Sequence, residues 1–138
     1  MIISGPLKSE QGQLIDYTHQ STMTQDEINL ILWFAGFDRV ADYGISVYDI
    51  HYESHSEYGT VDTLAGLVII PHSPTEAFPI FSYQHGTIIL DSQAPSITGL
   101  SADNVEILLI GLITAPSGFI TVIPDYSGIG DPDNIILI

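Results

Sequence analysis

Two apolar periodicities run through this chain. Between Thr24 and Gly36, Ile28, Ile31, Leu32 and Ala35 recur at helical spacing. Thr24 with Glu27 three residues on fits a capping box, and Asp26 and Glu27 put negative charge in the first turn, where the helix dipole favours it. Gly36 suits the C-terminal end, so the spacing predicts a short helix over about 25–35. Trp33 is read as a core or lid-packing residue rather than a ligand platform. A second helix is predicted in "SADNVEILLIGLITAPSG", with Asp103 as N-cap, Glu106 in the first turn, and Val105, Leu108, Leu109, Leu112 and Ile113 on one broad face. Pro116 and Gly118 stop it.

The other periodicity is that of strands. "YGISVYDIHYES" is β-branched and aromatic, with Ile45, Val47, Asp49 and His51 on one face and Ser46, Tyr48, Ile50 and Tyr52 on the other. Its mixed faces suggest a strand near a sheet edge. "LAGLVIIP" reads as a second strand ending at Pro71, joined to the first by a polar turn around 55–63, as in an antiparallel pair. "FPIFSY" and "FITVIP" are nearly continuous apolar runs, the pattern of buried strands. Because a helix separates them, they are expected to be parallel, joined by a right-handed crossover. Residues 1–22 are polar and mixed and read as an irregular lead-in. The expectation is an α/β fold with an antiparallel beginning.

Both apolar runs break at corners. The third strand runs into His85-Gly86-Thr87, and the fourth into Pro124-Asp125-Tyr126. In open α/β sheets, ligands bind beyond the carboxyl ends of parallel strands. A glycine there allows close backbone approach or a positive φ. An amide turned outward at such a corner can stabilise a developing oxyanion. On this reading the His-Gly corner presents main-chain donors rather than a side-chain nucleophile.

"SYQHGT", "APSGFITVIPDYSGIGDP" and "YGISVYDIHYES…LAGLVIIP", in this order, resemble the N-terminal part of bacterial secreted lipases and esterases of the α/β-hydrolase superfamily. The resemblance runs from the first helix to Asp131. It implies a partial α/β-hydrolase fold over residues 23–138, a mixed sheet in strand order 1-2-4-3 with an N-terminal helix and one crossover helix. By the same resemblance His85 and Gly86 shape the oxyanion loop and the N–H of Thr87 is the first oxyanion donor. Asp125 and Tyr126 would brace the neighbouring loop. The activity implied is hydrolysis of a lipid or other carboxylic ester through a serine, a histidine and an acid, without a cofactor or metal, in a secreted or periplasmic protein.

The chain departs from that pattern in one respect. It contains no Gly-x-Ser-x-Gly, the turn that carries the nucleophile. None of its five histidines sits where a base is expected: His85 belongs to the oxyanion corner, His51 and His55 to the first strand, His72 to a Pro-rich loop and His19 to the lead-in. The chain is therefore read as a truncated form or fragment of a serine ester hydrolase, lacking the nucleophile-bearing half and inactive alone. The alternative is a non-catalytic module that completes its sheet with another polypeptide. Either way the third strand lies at an open edge, which favours self-association or pairing.

Composition narrows the partners. Two basic residues, Lys8 and Arg39, face seventeen acidic ones, for a net charge of -15. Such a surface repels phosphate backbones, so nucleic acid is not an expected partner. The scattered carboxylates fit adaptation to high salt or a merely acidic surface, the latter slightly favoured. With no cysteine, disulfides, thiolate metal sites and cysteine nucleophiles are excluded. No apolar run approaches the ~20 residues of a membrane span, and the first residues, "MIISGPLKSEQGQ", do not form a secretory signal.

Other constellations have simpler readings. Asp125, Asp131, Asp133 and Asn134 suggest calcium but lack EF-hand spacing, so a solvated acidic loop is preferred. His51, Glu53 and His55 alternate along a strand, and zinc there is a remote option. Gly128-Ile129-Gly130 lacks the third glycine of a dinucleotide loop. Tyr43, Tyr48, Tyr52, Tyr58, Tyr83 and Tyr126 could bind sugars, but tyrosines also pack well on half-buried strands.

Overall fold

A computed structural model describes residues 11–56, 58–127 and 129. Strand β1 (Leu14–Met23) leads into helix α1 (Gln25–Phe34), then strands β2 (Ile45–His55), β3 (Val61–Pro71) and β4 (Ile80–Ser82). A 3-10 turn at Asp91–Gln93 and the one-turn helix α2 (Pro95–Thr98) precede helix α3 (Val105–Thr114), a second 3-10 turn at Ala115–Ser117, and strand β5 (Ile120–Pro124).

The five strands form one sheet in the order β1-β2-β3-β5-β4. β1, β2, β3 and β5 pair antiparallel in turn, whereas β4 and β5 run parallel, Ile80 opposite Ile120 and Ser82 opposite Val122. The four strands read from the sequence stand in the expected 1-2-4-3 order.

Helix α1 begins as its sequence dictates. The Thr24 side chain accepts from the Glu27 N–H, and the Glu27 carboxylate accepts from the Thr24 N–H at 2.8 Å. Ile28 and Leu32, one turn apart, are fully buried. Gly36 has φ +83°, a conformation side chains resist, so the chain can leave the helix there.

Helices α1 and α3 press on one face of the sheet. Ile28, Leu32, Ile107 and Leu112 from the helices meet the odd-numbered strand residues Ile45, Val47, Leu67, Ile69 and Ile123. The other face carries the even-numbered residues of β2 and β3, and there Tyr48, Ile50, Val68 and Ile70, with Leu14 and Tyr17 of the bulged strand β1, line a shallow apolar hollow of about 440 Å³.

Where β3 meets β5 the packing requires a residue without a side chain. A Cβ on Gly66 would stand 3.1 Å from the Pro124 Cα and 3.2 Å from the Ile123 carbonyl oxygen. Both are main-chain atoms of a strand whose Ile123 is fully buried, so β5 cannot readily retreat. Gly66→Val is therefore expected to cost about 1–3 kcal/mol by overpacking, read as a lower urea midpoint. A wild-type midpoint in this variant would contradict the close β3–β5 approach.

Several expectations are corrected. Residues 14–22 are not an irregular lead-in but most of strand β1, and β2 is consequently an inner strand. β1 escapes a pattern search because it is held by its ladder rather than by burial: most of its residues are exposed. Strand β4 stands at the expected sheet edge, but its apolar run is not buried: Ile80 is 70% exposed. Asn104, not Asp103, caps α3, its side chain accepting from the Ile107 N–H at 3.3 Å. Helix α3 buries Ile107, Gly111 and Leu112 and leaves Val105 exposed, because a helix apolar nearly all round does not declare its inner face. Trp33 is exposed at the surface of α1, in edge contact with Phe34.

Candidate functional site

β4 and β5 are parallel neighbours, so the segments that follow them emerge at the same end of the sheet. His85, three residues past β4, is almost fully buried. Its Nδ1 lies 2.7 Å from the Gly86 carbonyl oxygen. A carbonyl only accepts, so Nδ1 carries the proton and Nε2 is left as an acceptor. Nε2 is buried and meets no donor among the described residues.

The residue after Asp125 locks the two corners together. The Tyr126 ring stacks on His85 with centroids 4.1 Å apart and planes at 27°. Its hydroxyl donates to the His85 carbonyl oxygen. This contact fixes the His-Gly corner from the β5 side.

Asp125 turns to a different element. Its own N–H donates to the Ala65 carbonyl at 2.9 Å, extending the β3–β5 ladder. Its carboxylate, 2% exposed, accepts from the Ser96 N–H at 3.1 Å and the Ser96 hydroxyl at 2.5 Å. Burial pushes its pKa up, and the two Ser96 bonds and the nearby His85 and His51 oppose that shift. Asp125 thus ties α2 to the end of β5. Asp49, on β2, is also raised by burial, with Asp125 adding repulsion.

Gly86 is engaged from α3. Its N–H donates to Glu106 Oε1 at 3.1 Å, and the Tyr83 hydroxyl donates to the same oxygen at 2.7 Å. These bonds, Tyr83 first, hold the Glu106 carboxyl below the usual glutamate range. Gly86 does not have a positive φ. A Cβ there would meet only the Glu106 carboxylate, at 3.6 Å, so neither strain nor crowding from the protein demands glycine. Thr87 is exposed, and among the described residues no group accepts from its N–H.

Ser96 and Glu106 were not identified as site residues from sequence. Ser96 lies in "QAPSIT", which carries no motif. Glu106 looked like part of a helix N-terminus, and only the tertiary structure turns it to Gly86.

The remaining histidines are engaged separately. His51 Nδ1 meets Asp16 Oδ1 at 2.6 Å, and His55 lies 4.0 Å from Glu53. No group of three or more His, Asp or Glu side chains converges on a metal position among the described residues. His19 contacts Thr22 at 2.8 Å. His72 Nε2 contacts the Ser46 hydroxyl at 2.7 Å, at the opposite end of the sheet from the corners, and among the described residues no carboxylate orients that imidazole. Asp131, Asp133, Asn134, Gly128 and Gly130 lie outside the described residues. No described helix is long and apolar enough to cross a membrane.

No family model and no curated protein matches the sequence. Solved structures do resemble the fold. A Legionella pneumophila protein of inferred hydrolase function matches with TM-score 0.71 at 26% identity, over 86% of this chain and 32% of that one. The rice cell wall degrading esterase LipA of Xanthomonas oryzae matches with TM-score 0.75 at 23% identity, over 88% of this chain and 30% of that one. Candida antarctica lipase A in its closed state matches with TM-score 0.52 at 21% identity, over 86% and 26%. The chain thus spans about a third or less of the length of the structures it matches. Its mixed five-stranded sheet with helices is a partial fold of the hydrolase and esterase type.

Proposed function

We propose that this chain is the oxyanion-loop part of a serine carboxylic-ester hydrolase and is inactive without a nucleophile supplied from outside its 138 residues. The observation that carries this reading is the His-Gly-Thr corner, fastened at the C-terminal end of two parallel strands with the Thr87 N–H uncommitted. Attack on an ester carbonyl places negative charge on the acyl oxygen, and an amide preorganised at that point lowers the barrier. His85, with its proton on Nδ1 facing Gly86 and its ring stacked on Tyr126, shapes the loop and is not the base. A lipid or other carboxylic ester is the proposed substrate. A hollow of about 370 Å³ at the same end, lined by Ser54, His55, Tyr58, Asp62, Leu64 and Ser127, is large enough to take part of one.

The chain alone is expected neither to hydrolyse p-nitrophenyl esters nor to be labelled on serine by a fluorophosphonate. In a longer protein containing this chain and a Gly-x-Ser-x-Gly turn, Thr87→Pro removes the donor and is expected to lower kcat about 10²–10³-fold. Serine labelling within the chain, or an unchanged kcat in that variant, overturns the reading.

The exposed edge strand favours a second reading, a non-catalytic module that adds a strand from another polypeptide beside β4. There Ile80 is 70% exposed and β5 is the only strand paired with β4 among the described residues. A dilute monomer that binds no partner strand counts against it.

A further inference from the structure

Two consecutive amides stand at the His-Gly corner, and what chooses between them is a side chain from another element. Glu106 lies in the first turn of α3, behind an Asn104 cap that leaves its carboxylate free to turn away from the helix. Both of its hydrogen-bonded neighbours come from the loop after β4: the Tyr83 hydroxyl and the Gly86 N–H, on the same oxygen. Tyr83 is in turn fixed by its own N–H on the Val122 carbonyl of β5, at 2.9 Å. His85 receives the Tyr126 hydroxyl on its carbonyl. The loop is therefore held at three of the four residues before Thr87, from α3 on one side and β5 on the other.

We infer that Glu106 is the positioning residue of this corner: it sequesters the Gly86 N–H and so leaves that of Thr87 as the amide offered to an acyl oxygen. The inference rests on the oxyanion-loop reading for its purpose but not for its geometry. A hydrogen bond to an ionised carboxylate is stronger than a neutral one, so the Gly86 amide is held more firmly than a neutral acceptor would hold it. The same charge lies near the place where an oxyanion would form. That is unfavourable unless it is neutralised by its donors, which the two bonds to Tyr83 and Gly86 partly achieve. Besides those donors, His85 is the titratable neighbour that acts on Glu106, and when protonated it too favours the ionised form.

The test is amide NMR and hydrogen exchange on the full ¹⁵N-labelled chain. Exchange at Gly86 is expected to be roughly 10–100-fold slower than at Thr87, the protection of a bond to a charged acceptor. As pH falls, the Gly86 resonance should shift with protonation of Glu106. In Glu106→Gln, whose carbonyl oxygen can still accept, the peak should keep most of its protection but lose the titration. In Glu106→Ala, Gly86 should exchange as fast as Thr87. Equal exchange at the two amides in the wild type, or a Gly86 titration that persists in Glu106→Gln, overturns the assignment. If Glu106→Ala does not fold, those two comparisons decide it. A longer protein that hydrolyses no ester would overturn the proposed function and leave this result standing.

Discussion

Leu67→Ala is expected to lower the free energy of unfolding by about 3 kcal/mol, within the 2–5 kcal/mol usual for emptying a buried leucine site. Leu67 is fully buried on β3, between Asp49 of β2 and Ile123 of β5 in the ladder, and belongs to the cluster that α1 and α3 cover. Its neighbours are held by pairing on both sides, so they collapse little into the space left behind. Against a typical domain stability of about 5–15 kcal/mol, this is a large fraction. Urea unfolding followed by far-UV circular dichroism measures it, with Ile80→Ala as the exposed control. Equal losses in the two variants would mean that the core is not where the structure puts it.

Asp125→Ala is expected to cost about 2–4 kcal/mol, because the Ser96 N–H and hydroxyl then lose their acceptor while buried. Asp125→Asn should cost less, since its amide can still accept from one donor. The two variants also separate hydrogen bonding from charge. Burial raises the folded-state pKa of Asp125 above the usual 3.8, so folding favours its protonated form. The stability this confers is complete below the unfolded value and is lost as pH rises through the raised value. Wild-type stability should therefore fall relative to Asp125→Asn as pH rises from about 3.8 upward. Glu27 and Glu106, both lowered, act in the opposite direction: their contribution is lost as pH falls below the usual 4.5. Thermal or urea unfolding across pH 3–8 compares the two chains (Asp49 remains in both), and a difference that does not change with pH would refute the burial effect at Asp125.

The same local rules read well in some places and poorly in others. The capping box at Thr24 and Glu27 was legible because both partners lie within one turn, and the sequence alone brings them together. Strands β2, β3 and β5 were legible from β-branched and apolar runs. Strand β1 was not, because most of "LIDYTHQSTM" is exposed and its two register shifts break the alternation that marks a strand. The apolar run that forms β4 was legible as a strand but misleading about burial. Apolar character records what a surface needs to be covered by, and no described element covers that edge.

Composition and local spacing by themselves determined the acidic surface, the absence of thiol chemistry, the start of α1, the existence of strands β2, β3 and β5, and the two corners as places of interest. These are properties of residues close together in the chain, or of the whole chain summed. Only the tertiary structure decided that β1 closes one edge, that Asn104 rather than Asp103 caps α3, that Ser96 receives Asp125, and that Glu106 turns to Gly86. Those pairs lie up to about thirty residues apart, apart from the helix cap, and no periodicity encodes them. They follow from which strand lies beside which, a choice made when β4 and β5 align in parallel and bring two distant chain segments to the same end of one sheet.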